Sequence, residues 1–365
     1  MKFSPFFAST ALGSFPNLEV NGLAAKIFST LDIPLWPQLP NRDFRESMYL
    51  QFCSPLPSIK IDKSIEKAYF DTNVDLSKHL EFFYDRYLAQ DLEYFKLPKE
   101  FAQGFYDFQK NYKDCIKDDT ENKDGGNGNK VRRWVKGQVT GPISFGLTVY
   151  DQDQKASIYN NSLLDCIVKN ISMNARWQIK ELQKLCSSVM IFVDEPYMAA
   201  FGSAYVNISR DQVIRMLNEI FEAIHLDGAI AGVHCCANTD WSVLLETNVD
   251  ILSIDANGYM DNLFLFIKEV ISFLGRGGII AWGIVPNDIN IHEFSIKEIA
   301  YKLMKGLEGL QQKSNSKGIE FSINNIARQS LVTPVCGLGN TPIQVSDAVL
   351  EMLPLVSTGL REQFM

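Results

Sequence analysis

Short apolar runs alternate with amphipathic segments along most of the chain. Seven of these runs end in glycine, proline or a polar cluster, and they are residues 6–16, 134–142, 189–196, 229–236, 249–256, 277–286 and 330–339. Between two of them, residues 210–228 repeat apolar side chains at helical spacing and finish at Gly228, which suits a helix C-cap. Continuous apolar strands that alternate with helices form a parallel sheet covered by helices, so the sequence predicts an α/β fold.

The number of apolar runs bears on the arrangement of the sheet. An open doubly wound sheet and a closed barrel are the two choices. Seven strands, with an eighth expected at residues 47–52 (SMYLQF), favour a (β/α)8 TIM barrel. We expect residues 1–365 to form a single domain, in which the polar, aperiodic segment 110–131 is a flexible insertion.

Composition and charge exclude several classes of protein. Hydrophobic residues make up 46% of the chain, which is unlike a disordered protein. No apolar run reaches the roughly 18 to 20 residues of a membrane span, and Pro5 and Gly13 interrupt the start of the chain where a signal peptide would be continuous. The net charge is -8 and the longest basic run is Arg132-Arg133, so we expect neither a membrane nor a nucleic acid as partner.

The seven cysteines show no spacing typical of a small disulfide framework. A reducing, cytoplasmic location is therefore expected. We expect Cys53, Cys115, Cys166 and Cys186 to be small hydrophobic core residues. The other three cysteines stand at the ends of predicted strands.

Five of the predicted strands end in residues that carry polar or metal-binding atoms. In α/β barrels the loops after the strands share one mouth, and active sites form there. The residues concerned are Ser14, Asp194, Glu195, His234, Cys236, Asp255 and Cys336. We expect them to approach one site.

The sequence His234-Cys235-Cys236 indicates a metal site. Side chains alternate along an extended strand, so His234 and Cys236 face one side and Cys235 the other. With Cys336 from the last strand, the set is one imidazole and two thiolates, which suits tetrahedral zinc with an open fourth position. Asp255 is a candidate for that position, and a metal-free histidine packed beside buried cysteines is the alternative.

The ligand set also indicates the chemistry. Two negative thiolates make zinc a weaker Lewis acid toward water than three neutral imidazoles would, and they suit a site that holds a further thiolate. A thiol bound there loses its proton near neutral pH because the cation stabilises the anion. The expected chemistry is attack by sulfur.

Six motifs together resemble a known family. They are GSFP (13–16), KGQVTGP (136–142), VDEP (193–196), H-x-C (234–236), VDILSID (249–255) and CGLG (336–339). In this order they resemble the zinc-dependent methyltransferase barrels, namely the C-terminal catalytic half of cobalamin-independent methionine synthase and its relatives. Uroporphyrinogen decarboxylase and the methylcobalamin:coenzyme M methyltransferases share that superfamily fold, and the resemblance spans residues from about 8 to about 340.

The resemblance implies a role for each matching position. His234, Cys236 and Cys336 correspond to the zinc ligands of the family, and Asp255 stands where the family has a glutamate ligand. Its shorter side chain leaves open whether it reaches the metal.

The same resemblance implies an amino acid substrate. Leu12, Gly13 and Ser14 would hold the carboxylate of homocysteine, and Asp194 would bind its ammonium group. Glu46 is a second candidate for the ammonium group, with a solvated glutamate on a helix face as the alternative.

Asp194 and Glu195 are the candidate catalytic residues. For Glu195 the role stays open, because a position in the barrel wall opposite an arginine is equally consistent with the sequence.

The resulting hypothesis is a zinc-dependent transfer of a methyl group to homocysteine. The chain lacks the second barrel of the full-length synthase, which favours methylcobalamin on a separate corrinoid protein as the donor and methylfolate as the second choice. Two alternatives remain: coenzyme M as the thiol, or a non-catalytic zinc-bearing partner of a corrinoid protein. The decarboxylase is disfavoured because it needs no H-x-C set and would call for an arginine cluster.

Overall fold

The computed structural model describes residues 3–121, 134–319 and 322–364. The strands are β1 (Ala8–Ser9), β2 (Ile59–Asp62), β3 (Lys67–Phe70), β4 (Val135–Thr140), β5 (Tyr150–Asp151), β6 (Val189–Asp194), β7 (Ile230–Cys235), β8 (Ile251–Asp255), β9 (Ile279–Val285) and β10 (Ser330–Pro334). The α-helices are α1 (Leu23–Thr30), α2 (Leu76–Leu88), α3 (Gln103–Glu121), α4 (Pro142–Thr148), α5 (Asn161–Gln183), α6 (Arg210–Leu226), α7 (Trp241–Glu246), α8 (Ala256–Leu263), α9 (Ile267–Gly275), α10 (Ile296–Ser316), α11 (Ile323–Arg328) and α12 (Ile343–Arg361). Short 3-10 helices include Phe44–Glu46 and Pro196–Ala200.

Seven strands form one parallel sheet in the order β1-β10-β9-β8-β7-β6-β4. Each of the seven predicted apolar runs contains one of these strands, so the α/β prediction is confirmed. A smaller sheet in the order β2-β3-β5 pairs an antiparallel hairpin with β5. The strands of the large sheet alternate with helices, as the sequence predicts.

Residues 33–38 run between the two edge strands of the large sheet. The amide of Ile33 donates to the carbonyl of Ser9 at 3.0 Å, and the amide of Lys136 donates to the carbonyl of Pro34 at 2.9 Å. Further along, Gln38 forms a parallel bridge with Ser14. The segment therefore contacts both β1 and β4 through its backbone.

The eighth strand predicted at residues 47–52 is wrong. The carbonyl of Ser47 accepts from the amides of Leu50 and Gln51 at 3.1 and 3.0 Å, and Cys53 donates to Leu50 at 3.0 Å. These local hydrogen bonds make consecutive turns after the 3-10 helix, so the backbone has no strand ladder. The apolar side chains that suggested a strand pack from a turn instead.

The segment predicted as a flexible insertion begins as a helix. Helix α3 extends to Glu121 and so includes residues 110–121. The remaining part of the segment up to residue 131 lies outside the described residues, as do Arg132 and Arg133. Cys53, Cys166 and Cys186 are buried as predicted, whereas the side chain of Cys115 is not described.

The two faces of the large sheet bury two separate apolar clusters. The inner cluster contains Met190, Phe192, Ile251, Ala281 and Leu331, which alternate along their strands with residues of the outer cluster. The outer cluster is the larger one and lies between the sheet and the helices. Among the described helices, none combines the length and the apolar composition needed to cross a bilayer.

Candidate metal centre

Ends of neighbouring strands and their loops surround one cavity of about 380 Å³. Asp194 ends β6, His234 lies near the end of β7, and Ser14 and Cys336 follow β1 and β10. The residues that line the cavity are Leu12, Gly13, Ser14, Gln38, Pro40, Glu46, Ser47, Met48, Tyr49, Asp194, Pro196, His234, Cys236, Cys336, Gly337, Gly339 and Asn340. The cavity thus contains most of the residues that the sequence predicts for the site.

Three metal-binding side chains meet at this cavity. One ligand atom each of His234, Cys236 and Cys336 lies within 4.8 Å of the other two. The Nδ1 atom of His234 lies 3.0 Å from the hydroxyl of Ser253 on β8. The buried Nε2 atom has no hydrogen-bond partner among the described residues, so it is the ring nitrogen left for a metal.

Strand alternation separates the two adjacent cysteines. Cys235 is the last residue of β7 and is fully buried, with its thiol donating to the carbonyl of Ala237 at 3.3 Å. Cys236 is partly exposed and lines the cavity. Only Cys236 therefore shares a site with His234, as predicted.

The two thiols at the cavity are coupled. The Cys236 thiol lowers the pKa of Cys336 by hydrogen bonding, and the neighbouring His234 lowers it further. The same pairing and burial raise the pKa of Cys236. One of the two sulfurs is therefore favoured as a thiolate even without a cation.

Glycines allow the Cys336 loop to pass close to the loop after β1. A Cβ atom on Gly337 would lie 2.3 Å from the Ser14 hydroxyl oxygen. The amide of Leu338 donates to the carbonyl of Ser14 at 2.9 Å, and the amide of Gly339 donates to its hydroxyl at 3.3 Å. These contacts connect the predicted carboxylate-binding segment to the loop that carries Cys336.

The donor set fits zinc. Two cysteine sulfurs and one imidazole are the ligands that catalytic zinc sites use, and the unpartnered Nε2 of His234 would gain a partner from the metal. Its Nδ1 is held by Ser253, as outer hydrogen bonds hold ligand histidines in metal sites.

Asp255 does not join the three ligand residues. Its carboxylate caps helix α8 by accepting from the amide of Gly258 at 2.9 Å. It belongs neither to the ligand group nor to the residues that line the cavity. Asp255 makes this helix-capping contact because a carboxylate at the strand end meets the free amides of the next helix, and its contact with a metal stays a prediction.

Asp194 presents a partly buried carboxyl group to the cavity. Its Oδ1 atom has no hydrogen-bond partner within the described part of the chain. Burial raises the pKa of Asp194, while the charges of Lys136 and His234 oppose the rise. The side chain is thus an acceptor that lacks a donor.

Glu46 is the second acid of the cavity. Its side chain is 0% exposed, so the alternative of a solvated helix-face glutamate is wrong. Arg42 donates through Nε to Oε1 of Glu46 at 2.6 Å, and burial is the largest cause of the raised pKa of Glu46. Its role toward an ammonium group stays a prediction.

Gly13 lies where the chain tolerates no side chain. A Cβ atom there would lie 2.1 Å from the side-chain oxygen of Gln38, and the carbonyl of Gly13 accepts from the amide of Gln38 at 2.8 Å. Leu12, Gly13 and Ser14 all line the cavity. Their predicted contact with a carboxylate remains a prediction.

Glu195 does not line the cavity and anchors helix α4. Its carboxylate accepts from the amides of Ile143 and Ser144 at 2.9 and 2.8 Å and from the Ser144 hydroxyl at 2.6 Å. Gly141 is required beside it, since a Cβ atom would lie 2.1 Å from Oε1. Burial raises the pKa of Glu195 to about 7 against these hydrogen bonds. The arginine partner considered from the sequence is not among its contacts.

Two residues, one that lines the cavity and one that lies beneath it, were missed from the sequence. Tyr49 lines the cavity, contacts Tyr197 at 6.3 Å between ring centroids, and has a pKa raised to about 12 by burial. Tyr49 lies in residues 47–52, whose sequence predicts a strand, and a strand there does not indicate a residue of the cavity wall. Lys136 is fully buried, and a charged residue inside an apolar strand is a signal that could have identified it.

Comparisons with known proteins bear on the fold. No family model matches the chain, and no curated protein matches it. A solved methyltransferase from Methanosarcina mazei is similar in structure, with 14% identity, a TM-score of 0.50, and coverage of 100% of this chain and 95% of that chain. A B12-independent methionine synthase from Shewanella sp. W3-18-1, solved in complex with selenomethionine, has 20% identity, a TM-score of 0.44, and coverage of 70% of this chain and 67% of that chain. The first of these likenesses shows that the chain is similar in fold to a methyltransferase.

Proposed function

We propose that the protein is a zinc-dependent methyltransferase whose acceptor is a thiol, homocysteine. One observation carries the proposal: the ligand atoms of His234, Cys236 and Cys336 meet in the same cavity as the acids Asp194 and Glu46. A thiol-binding centre and acceptors for an ammonium group thus lie within one space of about 380 Å³. That volume suits a small molecule.

His234, Cys236 and Cys336 would hold the zinc. A zinc ion in this site supplies positive charge that favours the deprotonated, nucleophilic form of an incoming thiol. Ser253 fixes the imidazole ring, and the burial of Cys235 keeps the third nearby thiol away from the site.

Charge favours an amino thiol over a sulfonate. No lysine or arginine belongs to the cavity lining in the described ranges, whereas Asp194 and Glu46 do. An ammonium group is therefore better matched here than the sulfonate of coenzyme M. Ser14 and the neighbouring backbone remain available for the carboxylate of homocysteine.

The zinc-holding residues and Asp194 would together orient the sulfur for an in-line attack on the donor methyl carbon. The new bond joins sulfur to carbon, the donor leaves with its former bonding electrons, and the product is a thioether. Orientation of this kind contributes up to about 7 to 11 kcal/mol in well-aligned cases. Asp194 contributes by binding, and Glu195 by holding helix α4 beside the cavity.

For the donor we propose methylcobalamin on a separate corrinoid protein, with methylfolate as the alternative. A cavity of about 380 Å³ holds the thiol but not a corrin ring, so the donor would approach from the mouth. The free cysteines in the described residues support a reducing, cytoplasmic location for this exchange.

We also infer that residues 33–38 occupy the eighth position of a (β/α)8 barrel. Their backbone hydrogen bonds to both β1 and β4 support this closure. Pro34 and Pro37 explain the lack of a regular ladder, because proline has no amide to donate.

The test is a methyl-transfer assay with the zinc-loaded protein. Methylcobalamin and methyltetrahydrofolate are each paired with homocysteine and with coenzyme M, and thioether formation is measured. We expect methionine from methylcobalamin and homocysteine. No transfer to either thiol from either donor, despite stoichiometric zinc, would support a non-catalytic zinc-bearing partner of a corrinoid protein and contradict the proposal.

A further inference from the structure

A fully buried lysine lies beneath the cavity. Lys136, the second residue of β4, is 0% exposed, and its Nζ atom has no hydrogen-bond partner among the residues that the structure describes. Burying an ammonium group costs several kcal/mol unless other charges or dipoles compensate for the lost water. A lysine in this position therefore calls for a specific explanation.

Sheet register places Lys136 two layers below the acid of the cavity. In the paired strands Lys136 is beside Met190, Gln138 is beside Phe192, and Thr140 is beside Asp194. His234 is the neighbour of Asp194 on the other side. Because side chains two residues apart point to the same face, Lys136 and Asp194 share the inner face of the sheet.

An aromatic ring supports the lysine between these layers. The Nζ atom of Lys136 lies 4.6 Å from the centroid of the Phe192 ring. A Cβ atom on Gly232 would lie 2.5 Å from that ring, so the glycine provides the space in which Phe192 lies. The cation–π contact compensates part of the lost hydration and fixes the ammonium group over the ring.

The charge of Lys136 acts on Asp194. Burial raises the pKa of Asp194. The positive charge of Lys136 is the largest effect that lowers this pKa, ahead of His234, whereas the Cys336 thiol raises it. The Oδ1 atom of Asp194 is buried and lacks a donor within the described residues. The acid thus has a cation below it on the same face of the sheet, and one of its oxygens has acceptor capacity that none of the described residues uses.

We propose that Lys136 is a positioning residue of the acceptor site, whose ammonium group holds the Asp194 carboxylate in the orientation that receives the amino group of the acceptor thiol. This inference rests on the proposed function and deepens it, because it makes selectivity for an amino thiol depend on a residue outside the cavity. Lys136 touches neither thiol nor donor. It acts through Asp194.

The test measures the binding of two thiols to the zinc-loaded protein by calorimetry. Homocysteine carries the amino group, and 4-mercaptobutanoate is the same molecule without it. We expect Lys136→Met to weaken homocysteine binding at least tenfold and to change 4-mercaptobutanoate binding less than twofold. The control is Lys268→Met, the same substitution on the exposed face of α9, which leaves both affinities unchanged.

A double-mutant cycle distinguishes positioning from a general structural role. Asp194→Asn alone should lose homocysteine affinity at least as much as Lys136→Met, and the double variant should lose no more than Asp194→Asn. In methyl transfer, Lys136→Met should raise KM for homocysteine more than it lowers kcat. Equal weakening of both thiols, or additive losses in the double variant, would overturn the inference.

Folding and binding failures have separate meanings. If Lys136→Met does not fold but the double variant with Asp194→Asn does, the two charges are coupled as proposed. If neither folds, Lys136 is structural and the inference is wrong. If the wild-type protein binds neither thiol, or binds both equally, the proposed function itself fails.

Discussion

The Nδ1 atom of His234 and the hydroxyl of Ser253 lie 3.0 Å apart on the neighbouring strands β7 and β8. This contact fixes the ring and leaves Nε2 for the metal. Replacing Ser253 by alanine removes the hydrogen bond, and we expect zinc affinity to fall by about 10- to 100-fold. Competition with a chromogenic chelator measures the change, and Ser253→Thr, which keeps a hydroxyl, should lose less. Unchanged affinity in Ser253→Ala would show that the ring is fixed by other contacts.

The adjacent cysteines of β7 allow a matched comparison of ligand and core thiols. Cys336→Ala and Cys236→Ala each remove a ligand, so we expect bound zinc and methyl transfer to be lost while the circular dichroism spectrum is retained. Cys235→Ala removes a buried thiol on the opposite face and should keep both zinc and activity. Zinc and full turnover retained in Cys236→Ala would refute the ligand assignment.

The site was predictable where strand geometry alone decides it. Alternation along β7 predicts that His234 and Cys236 share a side and that Cys235 does not, and the structure has this arrangement. The contacts of Glu195 with helix α4 were not predictable, because its amides are about 50 residues away along the chain and are near only in space, whereas Asp255 caps the helix that directly follows it.

The closing segment of the sheet escaped prediction for a related reason. Residues 33–38 contain two prolines and lack a strand pattern, yet the amide of Ile33 pairs with β1 and the carbonyl of Pro34 accepts from β4. Residues 47–52 have apolar side chains at strand-like positions but form turns, because the carbonyl of Ser47 accepts from nearby amides. Long-range hydrogen bonds decide the structure of residues 33–38, and local ones decide that of residues 47–52. In neither segment does the pattern of side chains predict the structure.

Glu195 provides a test of structural against catalytic roles. In Glu195→Gln the side-chain amide would face backbone amides that now donate to a carboxylate, leaving donors unpaired. We expect the free energy of unfolding to fall by about 1 to 3 kcal/mol, with zinc content unchanged. Denaturant unfolding and metal analysis check this. A variant of full stability that loses all turnover would instead make Glu195 a catalytic residue.

Because of Lys136, we expect the free energy of unfolding to change with pH in the alkaline range. Burial lowers the pKa of Lys136 to about 8 from its ordinary 10.5, with Asp194 opposing the shift. Between about pH 8 and pH 10.5 the unfolded chain keeps a proton on Lys136 that the folded protein has released. The free energy of unfolding therefore rises with pH over this range, reaches its full value above pH 10.5, and is lowest once the pH has fallen through about 8.

The measurement compares wild-type protein with Lys136→Met by urea unfolding from pH 7 to pH 10. We expect the difference in unfolding free energy to shift in favour of the wild type as the pH rises, by up to about 3 kcal/mol. A difference that stays constant over this range would mean that Lys136 keeps its proton in the folded protein up to pH 10, so that burial does not lower its pKa.

X-ray absorption at the zinc edge tests the metal-bound thiol most directly. The zinc-loaded protein alone should show two sulfur ligands at about 2.3 Å together with lighter ligands, from Cys236, Cys336 and His234. On addition of homocysteine we predict a third sulfur ligand at a similar distance. A spectrum that homocysteine leaves unchanged, or a protein that binds no zinc, would contradict the proposal that this site activates a thiol.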